Sequence, residues 1–156
     1  PPMRAVALTI NEPIGVIGIA CPDEAPLLAL VSLVAPAIAL GNRCVVVPSQ
    51  TMPLAATDFV QVIETSDVPA GTINIVTGER DPLTRVLADH DQVGAMWHFG
   101  GPEGGAAVER AAAATIKRVW SAHGRARDWR SPVHGEGRAF LRHAAQSKTI
   151  WLPYGD

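Results

Sequence analysis

The chain reads Glu12-Pro-Ile-Gly-Val-Ile-Gly-Ile-Ala-Cys-Pro-Asp-Glu-Ala-Pro26 near its start, and this stretch decides the fold. Its apolar, β-branched run Ile14–Ala20 is typical of a strand. After a short loop, a second apolar run extends to Leu40 and ends at Gly41, a residue that suits a helix C-terminal cap. The stretch therefore predicts a strand followed by a buried helix over Leu27–Leu40, which is the first half of a βα unit.

The rest of the chain continues this alternation. Further strands are predicted at Arg4–Asn11, Arg43–Val47, Thr72–Val76, Ala95–Phe99, Ile116–Trp120 and Lys148–Leu152. Further helices are predicted at Pro53–Glu64, Pro82–Asp89, Glu103–Ala114 and Arg138–Gln146. Continuous apolar runs such as Val45–Val47 fit strands that are covered on both faces, which favours a parallel sheet. We therefore predict an α/β fold, a Rossmann-like doubly wound parallel sheet of about five strands in the order 3-2-1-4-5.

Composition limits the partners that the chain can have. With 156 residues, 47% of them hydrophobic, the chain can bury one compact core. Its net charge of −2 creates no long-range attraction for phosphate backbones or anionic membranes, so we expect neither nucleic acid nor membrane as a partner. The longest apolar run, Ala25–Leu40, is too short for a membrane span of about 20 residues. Small molecules and other proteins remain.

The cysteines and histidines give no sign of a reactive or metal site. Cys21 and Cys44 provide no disulfide framework, which suits a reducing cytoplasm, and we interpret both as buried, inert thiols. The five histidines lack ligand spacing, so we predict no metal site. The chain opens with Pro1 and Pro2 rather than an initiator Met, which favours a segment of a longer polypeptide.

Two loop segments leave alternatives open. Asp23 and Glu24 could form an acid/base pair, although adjacent loop carboxylates are more often solvated or cap a helix, here the one that starts near Pro26. The segment Arg125–Arg130 mixes arginines with a tryptophan, a composition also found in anion sites and single-strand binders. We interpret it instead as a solvated loop or a contact with another module.

The stretch from Glu12 to Pro26 resembles the start of the cofactor domain of aldehyde dehydrogenases. Further segments extend the likeness over nearly the whole chain: Leu33–Asn42, Asp67–Gly78, His98–Gly105, Ile116–Val119 and Gly137–Trp151. The resemblance implies a Rossmann-like cofactor domain and terminal strands that serve oligomerisation. In that family the last strand leaves its own subunit and extends a sheet of the partner.

The residues that this family uses for catalysis are replaced. The loop whose Asn amide donates to the oxyanion reads Pro22-Asp-Glu-Ala-Pro26 here, and the carboxylate of Glu24 cannot stabilise developing negative charge. Ala122 stands where the family has its general base. The domain with the nucleophilic Cys is missing, because the chain passes from Gly124 to the terminal helix and strand. The resemblance therefore implies no catalytic residue in this segment.

The cofactor residues are only partly kept. The family's Lys-Pro-Ser-Glu, whose Lys and Glu hold the adenosine ribose, reads Val47-Pro-Ser-Gln50, and the Ser of its pyrophosphate turn is Gly101. We also expect Asp23 and Glu24 to lie near Gly101 and to repel a pyrophosphate. A tight turn without a ligand is therefore the favoured interpretation of Gly100–Gly105. The vestigial cofactor-binding residues are Pro48, Ser49, Gly100, Gly101 and Gly105. We expect no cofactor for this segment, or NAD weakly at most.

The terminal strands carry apolar side chains of the kind that a partner covers. These side chains are Val6, Leu8, Ile10, Ile150, Trp151 and Leu152. We expect them to form an oligomerisation surface, with a second copy of the chain or with the catalytic module of the parent chain as the partner.

These observations predict a catalytically incompetent, aldehyde-dehydrogenase-like module with a structural and oligomerisation role, within an NAD-dependent aldehyde dehydrogenase polypeptide. It looks like the truncated C-terminal module of two-module aldehyde dehydrogenases. The alternatives are an NAD-binding regulatory module and a portion of an active NAD-dependent aldehyde oxidoreductase. We expect residues 1–124 to form the scaffold, including an oligomerisation strand at 4–11. Residues 125–137 would be a linker, and residues 138–156 the last helix and oligomerisation strand.

Overall fold

The computed structural model describes residues 4–154 of the chain. In chain order its strands are Arg4–Pro13 (β1), Val16–Ala20 (β2), Arg43–Val47 (β3), Ile73–Ile75 (β4), Ala95–His98 (β5), Arg118–Ser121 (β6) and Ala145–Tyr154 (β7). Its helices are Pro26–Ala39 (α1), Leu54–Glu64 (α2), Arg80–Asp89 (α3), Pro102–Ala113 (α4) and Arg138–His143 (α5). From β2 to β6, strands and helices alternate as the hydrophobic pattern predicted.

Strands β2 to β6 form one parallel sheet in the order β4-β3-β2-β5-β6. Counted from β2, this is the predicted order 3-2-1-4-5, so the doubly wound α/β fold is confirmed. Two apolar cores pack against the sheet: Leu30 and Leu33 of α1 belong to one, and Ala88 of α3 and Val108 of α4 belong to the other. The strand order reverses between β2 and β5, which creates a crevice at the carboxyl ends of the strands.

Asn42 fixes the end of α1 against the rest of the scaffold. The helix ends as predicted at a left-handed glycine, Gly41, whose φ is 84°. The buried Asn42 that follows accepts backbone N–H bonds from Ile14 at 2.7 Å and Gly15 at 3.1 Å. Its amide donates to the carbonyl of Ala144 at 2.8 Å. One side chain therefore joins α1, the start of β2 and the C-terminal part of the chain.

The C-terminal elements differ from their predicted limits. Helix α5 ends at His143, and β7 begins at Ala145 instead of Lys148. The reason is long-range pairing, because residues 145–147 pair with residues 11–13 of β1, which local helix propensity does not report.

The interpretation of the segment Arg125–Arg130 as a solvated loop is wrong for Trp129. Trp129 is only 5% exposed and packs in the main core with Phe99 and Phe140. Arg127 lies over a cluster of four aromatic rings, at 4.9 Å from the Phe140 ring centroid and 5.3 Å from that of Trp120. Such cation–π contacts hold the segment on the domain. The segment is therefore part of the globular unit.

Candidate functional site

Three loops gather in the crevice at the carboxyl ends of β2, β3 and β5. The loop after β2 supplies Asp23 and Glu24, and the loop after β3 supplies residues 48–53. The third is the glycine-rich turn 100–105, which follows β5 and includes the first turn of α4. In open α/β sheets ligands bind at this position. Four of the vestigial cofactor-binding residues lie on these loops, namely Pro48, Ser49, Gly100 and Gly101, and Gly105 lies in the first turn of α4.

Asp23 joins the polar groups of two loops and a helix. Its Oδ1 accepts hydrogen bonds from Ser49 Oγ at 2.8 Å and from the backbone N–H groups of Gln50 and Thr51 at 3.0 and 3.3 Å. Arg80 Nη2, in the first turn of α3, lies 2.6 Å from the same oxygen. Burial raises the pKa of Asp23, but hydrogen bonds from Arg80, Ser49 and Thr51 outweigh it and lower the pKa to about 2. Asp23 is therefore an anion at neutral pH.

These contacts correct the predicted role of Asp23. Helix α1 has Ala25 as its N-cap and no side-chain cap hydrogen bond, so Asp23 does not cap this helix. It caps the turn after β3 instead, and Arg80 balances its charge. Of the two carboxylates that we expected to repel a pyrophosphate, Asp23 is thus paired with Arg80, whereas Glu24 is exposed.

The loop after β3 is engaged with the protein itself. Ser49 is 1% exposed, donates to Asp23 and accepts the N–H of Met52 at 3.1 Å. The Oε1 of Gln50 accepts the N–H of Arg80 at 2.9 Å. Val47, which stands where the family has its ribose-binding Lys, is buried. The Ser49 hydroxyl and the Gln50 side-chain oxygen are thus already hydrogen-bonded within the chain, and Val47 offers no donor, so these residues do not fit the ribose contacts of the family.

The glycine-rich turn packs around an imidazole. His98, the last residue of β5, is fully buried. A Cβ at Gly104 would lie 2.9 Å from His98 Nε2, and a Cβ at Gly100 would lie 3.0 Å from His98 Cε1. A Cβ at Gly105 would lie 2.6 Å from Ser121 Oγ. These three glycines are required by contacts within the chain, which favours the interpretation of a tight turn without a ligand.

Sequence reasoning missed a polar cluster around His98. The ring lines a cleft of about 480 Å³ between α3 and α4. Within residues 4–154 neither ring nitrogen has a hydrogen-bond partner, and neither has the Nε of Arg80 or the Oγ1 of Thr84. Burial, and next the positive charge of Arg80, lower the pKa of His98, so the ring is neutral at pH 7. No local sequence pattern marks this cluster, because His98 belongs to β5 and both Arg80 and Thr84 belong to α3, two elements that only the fold brings together.

The structure places the two residues that the resemblance aligns with catalytic groups of the family. Glu24 is exposed, and Ala122, in place of the general base, packs against the core. Cys21 and Cys44 are buried as predicted, and burial raises the pKa of each thiol to about 12, so neither forms a thiolate at neutral pH. Across residues 4–154, no three His, Cys, Asp or Glu side chains are grouped so that they could hold a metal ion.

The terminal strands form a two-stranded antiparallel ribbon, in which β1 pairs with β7 of the same chain. Val6 stands opposite Leu152 and Leu8 opposite Ile150, so these side chains share one face. Trp151 stands opposite Ala7 on the other face and is 70% exposed. The in-register pairing that we expected between subunits is therefore supplied within the chain. The apolar side chains still face solvent in the single chain, with Val6 and Leu152 each about half exposed.

Comparison with known proteins agrees with this architecture. Residues 2–126 match the aldehyde dehydrogenase family. Hydroxyisobutyraldehyde dehydrogenase of Mycolicibacterium austroafricanum is 36% identical over 118 residues, which are 76% of this chain and 23% of that protein. Human retinaldehyde dehydrogenase 3 is 36% identical over 117 residues, which are 74% of this chain and 23% of that protein.

Solved structures give the same result. Aldehyde dehydrogenase C of Pseudomonas syringae, crystallised with NAD+ and octanal, superposes with a TM-score of 0.71 at 36% identity, over 74% of this chain and 24% of that one. The aldehyde dehydrogenase of Brucella melitensis superposes with a TM-score of 0.73 at 30% identity, over 78% of this chain and 25% of that one. This chain thus spans about a quarter of the length of these relatives. On its sequence match and its fold, the chain belongs to the aldehyde dehydrogenase family.

Proposed function

We propose that this chain is a structural and assembly module of the aldehyde dehydrogenase family that does not itself oxidise aldehydes. The observation that carries the proposal is the crevice, where Asp23, Ser49, Gln50 and Arg80 are hydrogen-bonded to one another. A site built for NAD and an aldehyde needs those groups free to meet a ligand. The module associates with itself or with the catalytic module of its parent chain, an NAD-dependent aldehyde dehydrogenase that works in the cytoplasm.

Residues that differ from those of the family support the proposal as well, in addition to the residues whose polar groups are hydrogen-bonded within the chain. Glu24 offers negative charge where the reaction develops an oxyanion, which raises the barrier. Val47 and Gln50 replace two ribose hydrogen bonds that involve charged groups, each worth about 1.5–3 kcal/mol. No helix within residues 4–154 is long and apolar enough to cross a membrane.

A second candidate is a regulatory module that binds a nucleotide without the family's ribose clamp. The cleft between α3 and α4 favours it, because Thr84 and the neutral His98 can both donate and accept hydrogen bonds there. Such a module would bind NAD and still perform no chemistry. Neither candidate oxidises aldehydes, so a measurement of NAD affinity distinguishes the two.

The purified chain is expected to form no NADH from octanal and NAD above a buffer control. Calorimetry is expected to find NAD affinity weaker than micromolar, because two lost contacts of this size lower affinity by about a hundredfold or more. A complete aldehyde dehydrogenase in the same assay is the positive control. NADH formation would refute the proposal, whereas micromolar NAD affinity without turnover would establish the regulatory module.

The isolated chain is expected to be a dimer or larger oligomer through the β1–β7 ribbon. Burial of the face with Val6 and Leu152 contributes roughly 25 cal/mol per Å² of apolar surface removed from water. Aspartate at both positions should give a monomer by light scattering at micromolar concentration, and truncation after Gln146 should give a monomer or aggregation. The matched control places aspartate at Thr57 and Gln61, two exposed residues of α2 outside the ribbon. A monomeric unmodified chain would contradict the assembly role.

A further inference from the structure

A groove follows the outer face of α1, between this helix and residues 129–141. Its volume is about 770 Å³. The apolar residues that line it are Leu28, Val31, Ala35, Pro36, Trp129, Phe140 and Leu141. Leu28 and Leu141 are each about 40% exposed, whereas Trp129 and Phe140 lie beneath them at 5% and 1% exposure. The groove thus offers aliphatic side chains on a rigid aromatic base.

Arginines surround this groove. Arg130 and Arg138 line it, and a second cavity of about 430 Å³, which shares Arg138 and Leu141 with the first, extends it to Arg142. All three guanidinium groups belong to exposed residues, and within residues 4–154 none has a carboxylate within 4.0 Å. Among the described residues that line the two cavities, Glu136 is the one acidic side chain.

The net charge of −2 is the sum of an acidic N-terminal part and a basic C-terminal part of the chain. Residues 1–109 contain twelve Asp and Glu but four Arg, whereas residues 110–156 contain nine Lys and Arg but three Asp and Glu. Except for the residues of α1, all residues that line the groove belong to the basic part. Its surroundings therefore attract anionic partners, although the whole chain does not.

We propose that this groove binds an amphipathic segment of another protein, which places apolar side chains on Leu28, Val31 and Leu141 and carboxylates against the arginines. An apolar groove with charged margins is the surface that amphipathic helices occupy. Arginine binds a carboxylate with two parallel hydrogen bonds, so the three guanidinium groups select an acidic segment. The extension of the groove borders the β1–β7 ribbon at Asn11 and Ser147. None of the apolar side chains proposed for oligomerisation lines either cavity, so this proposal does not rest on the assembly role.

The geometry favours a peptide over a single-stranded nucleic acid. Single-strand binding requires exposed aromatic rings on which bases stack. The rings of Trp129 and Phe140 are covered, so the exposed part of the groove is aliphatic. An aliphatic surface packs against leucine-like side chains and offers no stacking platform.

The test uses fluorescein-labelled helical peptides of about 15 residues, long enough to form a helix. One has leucines on a single face and glutamates elsewhere, and its two matched peptides replace glutamate by glutamine or lysine. Anisotropy titrations of the full chain are expected to show the glutamate peptide binding at least about tenfold more tightly than the lysine peptide. The triple variant Arg130→Glu, Arg138→Glu, Arg142→Glu should reverse this order. The control variant Arg4→Glu, Arg43→Glu, Arg110→Glu changes the net charge equally and should preserve it.

Other results would overturn the proposal. Equal affinity for the glutamate and lysine peptides would show that the three arginines do not select an acidic segment. Equal loss in the groove and control variants would reveal a general charge effect. A single-stranded oligonucleotide that displaces the peptide from the unmodified chain, but does not bind the groove variant, would make this a nucleic-acid site. An oligomer that light scattering shows to dissociate in the groove variant alone would mean that a second copy occupies the groove.

Discussion

Replacement of Trp129 by alanine is expected to lower the free energy of unfolding by about 3–5 kcal/mol, the usual cost of removing a large aromatic side chain from a core. The indole is 5% exposed and meets Phe99 edge-on, with ring centroids 5.4 Å apart. Its loss leaves a cavity beneath Arg127, whose guanidinium lies 5.5 Å from the Trp129 ring. Urea unfolding followed by circular dichroism measures the change.

The neighbouring Arg130 provides the control for Trp129. Its side chain is exposed, and Arg130→Ala should change the free energy of unfolding by less than about 0.5 kcal/mol. If Trp129→Ala were as mild as this control, residues 125–137 would be the solvated linker that their composition suggests. The comparison therefore decides whether the segment closes the core or merely joins two elements.

The fold could be predicted from the sequence because its signals are local. The run Val45–Val47, the cap at Gly41 and the regular alternation of strands with helices depend on neighbouring residues, and the structure confirms the sheet order that they predict. The composition of residues 125–137 instead predicts an exposed loop, since arginine, glycine and proline are typical of such loops. Trp129 is buried because Phe99 after β5, Trp120 of β6 and Phe140 of α5 pack together beside it, and no local pattern indicates that these rings meet.

The crevice was predicted less completely than the fold. The predicted strand order indicates which loops meet in the crevice. The sequence also shows that Glu24 and Ala122 differ from the catalytic residues of the family at the aligned positions. The sequence does not predict that Arg80 pairs with Asp23, because the two residues are 57 positions apart. Only the packing of α3 brings Arg80 Nη2 to 2.6 Å from the Asp23 carboxylate. Spacing alone likewise does not distinguish His98 from the other four histidines, whereas in the structure a Cβ at Gly104 would lie 2.9 Å from its ring.

Replacement of Asp23 by alanine is expected to lower the free energy of unfolding by about 3 kcal/mol. The Arg80 side chain is only 12% exposed, and removing one member of a buried ion pair leaves the other charged and unpaired. The N–H groups of Gln50 and Thr51 lose their acceptor as well. The figure lies at the lower end of the range for buried pairs because the Asp23 side chain is 36% exposed, which weakens the interaction.

The double variant separates the ion pair from the other contacts of Asp23. Once Arg80→Ala has removed the buried charge, Asp23→Ala should cost only about 1 kcal/mol more, since the loop contacts alone remain to be lost. Equal costs of Asp23→Ala in both backgrounds would show that Asp23 and Arg80 do not interact.

Acid titration tests the same pair by another route. Because the pKa of Asp23 is lowered in the folded state, its contribution is present above the ordinary carboxyl value near 3.8 and disappears as the pH falls through about 2. The stability difference between the unmodified chain and Asp23→Asn should therefore be constant from pH 7 to about pH 5 and shrink at more acidic pH. A difference that does not change below pH 4 would mean that the Asp23 carboxylate has an ordinary affinity for protons, and that the polar contacts of the crevice do not hold it as an anion.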